Sequence, residues 1–208
     1  MQQILIDKHA FKPSKIICVG RNYLEHINEL NNEIPENMVL FFKPNSAISQ
    51  ELQAEHCIKN EVEAIHYEAE ICFVYQDHQF GAVGIGLDLT KRVLQSKLKE
   101  KGLPWERAKA FDGAALFSDF VSIDKISEQL ELTLHIDGQL TQLAHISHMM
   151  YSPSLILQEV QQFVTLEDGD IVMTGTPAGV GKVRRNSHYC CELKDGDQSL
   201  MIKQWLAV

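Results

Sequence analysis

The stretch Ile65-His66-Tyr67-Glu68-Ala69-Glu70-Ile71-Cys72-Phe73-Val74-Tyr75 decides the fold. β-Branched, aromatic and other apolar residues fill it, and polar, mixed sequence (50–63) leads into it, so it reads as a strand. Side chains alternate across a strand, which sends Glu68 and Glu70 to the same face. Two neighbouring carboxylates repel, and buried ones are costly. A cation between them removes both problems. On its own, a Glu-x-Glu pair is more often a solvated strand face; its company decides which it is.

Outward from this strand, the chain is mostly short strands. Lys15–Val19 and Met38–Phe42 are compact apolar runs, punctuated by Gly20 and by Lys43-Pro44-Asn45. Between them Tyr23–Leu30 has the pattern of a short helix ended by Asn31-Asn32. Residues 50–63 form a hairpin or a loop. Gly81–Leu87 is a small-residue strand ending at Asp88, and Thr90 is placed to cap a helix from Lys91 to Lys101, stopped by Gly102 and Pro104. Leu132–Ile136 and Gln139–Leu143 flank Asp137-Gly138, a hairpin signal. Ser152-Pro153 reads as an N-cap followed by proline at the first position of a helix reaching Phe163. Asp168-Gly169-Asp170 turns into the strand Ile171–Thr174, and Asp195-Gly196-Asp197 marks a late hairpin. The strand–helix alternation is too irregular for a doubly wound sheet, so the expected class is α+β, mostly β.

With 208 residues, 45% apolar and 23% charged, the chain suits one globular domain. A net charge of −9 argues against nucleic acid and acidic membrane surfaces as partners, because clustered Lys and Arg hold those. It leaves room for a small anionic substrate held by a few placed cations. The first fifteen residues lack a signal-peptide core, no apolar run approaches membrane-spanning length, and the five cysteines are odd in number with no CxxC pair. A reduced, cytoplasmic protein is the expectation.

Glu68 and Glu70 supply two oxygen ligands, and Asp88, at the end of the next apolar strand, offers a third. Hard oxygen donors without a cysteine or histidine pair favour Mg²⁺, Mn²⁺ or Ca²⁺ over zinc. His26 and Glu29 stand i and i+3 on the early helix, so the carboxylate can hold the imidazole as a general base; a surface His/Glu pair has the same spacing. His66 flanks the acidic strand. Arg21, Lys43, Arg92 and Lys109 form the cationic set. Arg92 and Gln95 share a helix face just after Asp88 and suit a carboxylate, while Lys109, within Ala108-Lys109-Ala110-Phe111, needs an anionic partner if buried. Gly175-Thr176-Pro177-Ala178-Gly179-Val180-Gly181-Lys182 is not a P-loop, since Thr176 and Val183 occupy positions that must be Gly and Ser/Thr. It reads as a glycine turn bringing backbone N–H groups and the Thr176 hydroxyl to a ligand.

Five segments in order resemble the fumarylacetoacetate hydrolase superfamily: Val19-Gly20-Arg21-Asn22-Tyr23 with His26 and Glu29; Phe42-Lys43-Pro44; His66-Tyr67-Glu68-Ala69-Glu70; Leu87-Asp88-Leu89-Thr90 with Arg92 and Gln95; and Gly175–Gly181. Lys101-Gly102-Leu103-Pro104-Trp105 leading to Ala108-Lys109 is most similar to its small acylpyruvate hydrolases and oxaloacetate decarboxylases. The resemblance implies a mixed β-roll with a few short helices, residues 1–208 as a single catalytic domain, a homodimer, and Mg²⁺ or Mn²⁺ on Glu68, Glu70 and Asp88. It also implies that His26 and Glu29 are a water-activating dyad on a lid, that Lys109 is a substrate cation, and that Arg21, Arg92, Gln95 and Thr176 bind substrate. The implied reaction cleaves a C–C bond beside a metal-chelated pyruvate moiety, by acylpyruvate hydrolysis or oxaloacetate decarboxylation. The alternative is an isomerase or decarboxylase of hydroxymuconate-type diacids. Val93, Asp112–Leu116 and His148 depart from the family pattern and bear on the distal pocket rather than the ligands.

Overall fold

A computed structural model describes residues 1–58 and 61–208. Its principal elements are β1 (Lys15–Gly20), α1 (Leu24–Glu29), β2 (Val39–Pro44), β3 (Ala69–Gln76), β4 (Gln79–Asp88), α2 (Arg92–Glu100), α3 (Glu106–Lys109), β5 (Ala115–Phe117), β6 (Leu130–Ile136), β7 (Gln139–His145), α4 (Pro153–Gln161), β8 (Ile171–Met173), β9 (His188–Asp195) and β10 (Gln198–Leu206). Strands outweigh helices, as expected.

One mixed sheet runs β2-β1-β8-β3-β4-β5, with Ile48–Ser49 at its edge and Val121–Ser122 beside β4, and it curls into a half-barrel. The β1–β8 and β5–Ile48 pairings are parallel; β1–β2, β8–β3, β3–β4 and β4–β5 are antiparallel. A second, antiparallel sheet runs β7-β6-β9-β10. Between the sheets lies the main core, where Ile71, Phe73, Val83, Ile85 and Val172 meet Leu132, Leu134, Tyr189, Cys191 and Trp205. The opposite face of the first sheet carries a smaller cluster of Ile16, Cys18, Cys72, Val74, Phe117, Phe120 and Met173, covered by the hairpin Ile4–Ile6/His9–Phe11. From Ile71 to Tyr75, β3 therefore buries apolar side chains on both faces, which is why that part of its sequence reads as an apolar run. Packing on the second face is close. A Cβ on Gly86 would lie 2.5 Å from the Cys72 sulfur, and one on Gly84 would lie 2.6 Å from the Phe120 ring.

Local expectations hold with shifted ends. Residues 55–58 and 61–64 form a hairpin whose turn lies outside the described residues. The β2 strand continues through Lys43-Pro44 instead of stopping there, because Lys43 is fully buried beside β1. Ser152 caps α4, accepting the Leu155 N–H at 3.4 Å, and that helix ends at Gln161 rather than Phe163. The acidic stretch is not one strand: His66–Tyr67 pairs with Gly181–Lys182, and from Ala69 the chain pairs with β4, so Glu68 sits where the partner changes. Thr90 does not cap α2; Lys91 is the flanking residue, and the Thr90 hydroxyl points to Lys109.

Asp170 ties the starts of the parallel strands β1 and β8. Its carboxylate accepts the Ser14 N–H (2.9 Å) and hydroxyl (2.8 Å), the Lys15 N–H (3.1 Å), the Lys15 ammonium and the Glu167 N–H (2.9 Å). Burial alone would raise this carboxyl, but the Lys15 and Ser14 hydrogen bonds outweigh it and hold it below the usual range. A depressed carboxyl adds stability that is complete above its unfolded value of about 3.9 and is lost as pH falls through the folded value. Asp170→Ala is expected to cost about 3–5 kcal/mol and to flatten the acid limb of stability against pH. Urea titrations at several acid pH values check both.

Candidate active site

The first sheet's second face ends in a pocket. Glu70 stands opposite Gly86, and the Asp88 N–H donates to the Glu68 carbonyl at 2.8 Å, so three carboxylates converge from two adjacent strands. One carboxylate oxygen from each of Glu68, Glu70 and Asp88 lies within 4.8 Å of the other two, and all three residues are buried. Like charges so placed destabilise a sheet unless countered.

Three cations counter two of them. Lys109 donates to Glu68 (2.9 Å), Asp88 (2.8 Å) and the Thr90 hydroxyl (2.7 Å), which uses all three of its N–H groups. Arg92 reaches Glu68 with one terminal nitrogen and Gln95 (2.8 Å) with the other. Lys43, with no exposed surface, lies 2.8 Å from Asp88 and donates to the Lys109 carbonyl. Burial would raise the Glu68 carboxyl, but Lys109 and Arg92 hold it well below the usual range. Burial would likewise discharge Lys109, and Asp88 and Glu68 keep it charged.

Glu70 is the exception. Among the described residues its carboxylate has one partner, the Gly175 N–H at 2.7 Å, and burial with the charges of Asp88 and Glu68 pushes its carboxyl well up. Asp88 Oδ1 is also a buried acceptor without a well-directed hydrogen bond. Among the described residues Glu70 has no cation of its own, and Asp88 Oδ1 has only the poorly aligned Lys43 ammonium at 2.8 Å; both belong to an all-oxygen triangle that fits a hard divalent ion.

The helix α1 closes the pocket. His26 Nδ1 lies 3.2 Å from Glu29 Oε2, and Glu29 Oε1 accepts the Gly179 N–H at 3.0 Å. With Nδ1–H given to Glu29, Nε2 carries the lone pair. Gly179 can only be glycine: its φ is +98°, and a Cβ would fall 2.1 Å from the Thr141 carbonyl oxygen. The glycine turn thus spends the N–H groups of Gly175 and Gly179 on two site carboxylates, not on a ligand. Thr176 lines the pocket, yet its hydroxyl donates to the Ala69 carbonyl (2.9 Å) and accepts from Gln142 (2.9 Å). Asn22 anchors the root of α1, bonding Thr174 O at 2.8 Å and both backbone groups of Tyr151.

Arg21, His26, Glu68, Glu70, Asp88, Arg92, Gln95, Lys109 and Thr176 all line this one pocket, and Glu29 stands behind His26. His66 does not line it; burial, then the Arg92 charge, pushes its imidazole down to about 4. Nor do Val93, residues 112–116 or His148, so the three departures from the family pattern leave the pocket wall intact. Leu30, Asn32, Phe41, Lys99 and Trp105 build the outer wall instead. Of these, Lys99 had a signal in the sequence: Arg92, Gln95 and Lys99 recur at i, i+3 and i+7, one face of a helix. Asn22 and Gln142 had none.

Known proteins are similar to this chain over most of its length. The chain is 34% identical over 185 residues to an oxaloacetate tautomerase of Escherichia coli, covering 82% of this chain and 84% of that one. It is 36% identical over 184 residues to a mitochondrial oxaloacetate tautomerase of Homo sapiens, covering 82% and 83%. A crystal structure of fumarylpyruvate hydrolase from Pseudomonas aeruginosa in complex with Mn²⁺ and pyruvate superposes with a TM-score of 0.85 at 26% identity, covering 100% of this chain and 95% of that one. The family model for the fumarylacetoacetate (FAA) hydrolase C-terminal region matches residues 15–203, and the chain belongs to the fumarylacetoacetate hydrolase family.

Proposed function

We propose that the protein is a divalent-metal-dependent enzyme of 2-oxo acids that generates negative charge on the carbon next to the oxo group, with oxaloacetate as its first substrate. The observation that carries this reading is the buried triangle of Glu68, Glu70 and Asp88, in which Glu70 has no cation of its own. A bound Mg²⁺ or Mn²⁺ supplies a Lewis acid for the oxo group. The chain's residues do the rest. Arg92 Nε is a buried donor with no acceptor, and with Gln95 it suits the substrate carboxylate. Lys109 holds Glu68 and Asp88 in register, and it binds substrate oxygen by releasing one of its three acceptors. His26 Nε2 takes a proton from the carbon or from water and returns it, while Glu29 fixes the ring. Trp105 and Phe41, whose rings are 5.9 Å apart, narrow the way for bulk water.

The reaction differs only in what leaves that carbon: a proton in keto–enol tautomerisation, CO₂ in decarboxylation, an acyl group in acylpyruvate hydrolysis. Sequence alone favoured C–C cleavage; the names of the similar proteins move tautomerisation alongside it. The test is a panel of oxaloacetate and acetylpyruvate, each with Mg²⁺, Mn²⁺ or chelator, following enol decay and pyruvate release. Metal-dependent turnover of at least one is expected; activity indifferent to chelator, or none at all, overturns the reading.

Residues 1–208 act as one catalytic unit in this reading. Its assembly is a homodimer, which the exposed Leu140, Leu143, Ile202 and Leu206 on the outer face of the second sheet support. Sedimentation of the same preparation checks that. A reducing, cytoplasm-like compartment suits its five cysteines, all of them free. Among the described residues no helix is long and apolar enough to cross a membrane.

A further inference from the structure

The outer wall of the pocket holds positive charge that the catalytic triangle does not use. Helix α2 turns Arg92, Gln95 and Lys99 into the pocket from one face, and Arg21 faces them from the turn after β1. Arg92 is matched by Glu68. Arg21 and Lys99 are matched by nothing charged: no carboxylate among the described residues pairs with either. Both lean on a single neutral atom. Asn32 Oδ1 accepts from Lys99 Nζ at 2.8 Å and from Arg21 Nη2 at 3.3 Å, and the second Arg21 nitrogen reaches only the Glu33 carbonyl, at 3.3 Å.

An ammonium and a guanidinium sharing one amide oxygen are under-satisfied, because an amide carries no net charge and the pair has eight donors between them. Burial, with the repulsion of Arg21 and Arg92, pulls Lys99 below the usual lysine range, the mark of positive charge left unneutralised. Arg21 is held in this position by its backbone, whose φ of +59° turns the chain sharply between β1 and α1.

We propose that Lys99 and Arg21 form a second anion seat, and that Asn32 fills it until the distal carboxylate of a dicarboxylic 2-oxo acid takes its place. Lys99 is then the residue that makes this site prefer a dicarboxylic over a monocarboxylic oxo acid. The inference rests on the reading of the pocket as a 2-oxo acid site. It adds which end of the substrate faces the lid and which side chains count its charges. The rival role for Lys99 is a staple that only holds the 30–32 turn closed through Asn32. A staple would serve every substrate alike.

The experiment compares wild type, Lys99→Met and Lys99→Arg with Mg²⁺ in two arms. In the first, kcat/KM is measured for oxaloacetate and for acetylpyruvate. Lys99→Met is expected to lose roughly ten- to a hundredfold more on the dicarboxylate than on the monocarboxylate, the worth of a hydrogen-bonded charge, and Lys99→Arg to recover most of the difference. In the second, calorimetry gives the affinity ratio of 2-oxoglutarate to 2-oxobutanoate, which needs no turnover. Lys99→Met is expected to shrink that ratio about tenfold or more by the same reckoning. Equal losses on both substrates with an unchanged affinity ratio would overturn the seat and leave the staple. If wild type turns over neither substrate, the functional reading fails while the affinity ratio still decides the seat.

Discussion

Glu70→Gln is expected to lower metal-dependent turnover on the order of a thousandfold or more and to weaken Mg²⁺ and Mn²⁺ binding in parallel, with the fold intact. Glu70 is the cleanest proposed ligand to test because, among the described residues, it alone of the three carboxylates has no ion pair. Glutamine keeps an oxygen for the Gly175 N–H and removes the charge that Asp88 and Glu68 repel. The metal-free variant should therefore unfold at or above the wild-type temperature. Asp88→Ala makes the contrast. It too should abolish activity, but it strips Lys43 of its carboxylate and Lys109 of one of its two, and should cost about 3–5 kcal/mol of stability. Calorimetric titration of metal into Glu70→Gln, beside thermal melts of both variants, separates ligand loss from unfolding. Wild-type metal affinity in Glu70→Gln would remove that residue from the ligand set.

This contrast also marks what the sequence could and could not convey. The pattern of apolar residues is local, so strands, turns and the Ser152-Pro153 helix start were legible within a few positions. So was the company of the two glutamates, because the five family-like segments carry most of the residues that line the pocket. Ion pairing was not legible, since it depends on which strands become neighbours. Nothing local says that Lys43 and Lys109 meet on Asp88, 45 and 21 positions away in the chain. Thr90 shows how such a contact overrides propensity. Capping a helix is worth about 1 kcal/mol, whereas an ammonium left short of an acceptor in the interior costs several times that, so the hydroxyl serves Lys109. The glycine turn depends on the same kind of neighbour: its residues suggest N–H groups near a ligand, and the register of β8 beside β3 gives two of them, on Gly175 and Gly179, to Glu70 and Glu29.

His26→Ala is expected to reduce turnover by about a hundred- to ten-thousandfold, the range for loss of a general base, while metal affinity stays within about twofold. The two readouts should part because His26 lies on α1, outside the carboxylate triangle, and reaches the chemistry only through Nε2. Exchange of hydrogen for deuterium on the carbon beside the oxo group reads the proton step directly, and it should vanish with the imidazole even where substrate still binds. Free imidazole added to the variant should restore part of that exchange, because the vacated space beneath α1 opens onto the same pocket. Glu29→Gln should fall between. Its side-chain oxygen still accepts the Gly179 N–H and keeps α1 docked, but it no longer places a charge 3.2 Å from Nδ1. A loss of roughly tenfold is the expectation there, in line with outer-shell partners that orient a reacting imidazole. If His26→Ala instead loses metal, or exchanges deuterium at the wild-type rate, the base lies elsewhere. Lys109 would then be the first residue to examine, since its ammonium touches both Glu68 and Asp88.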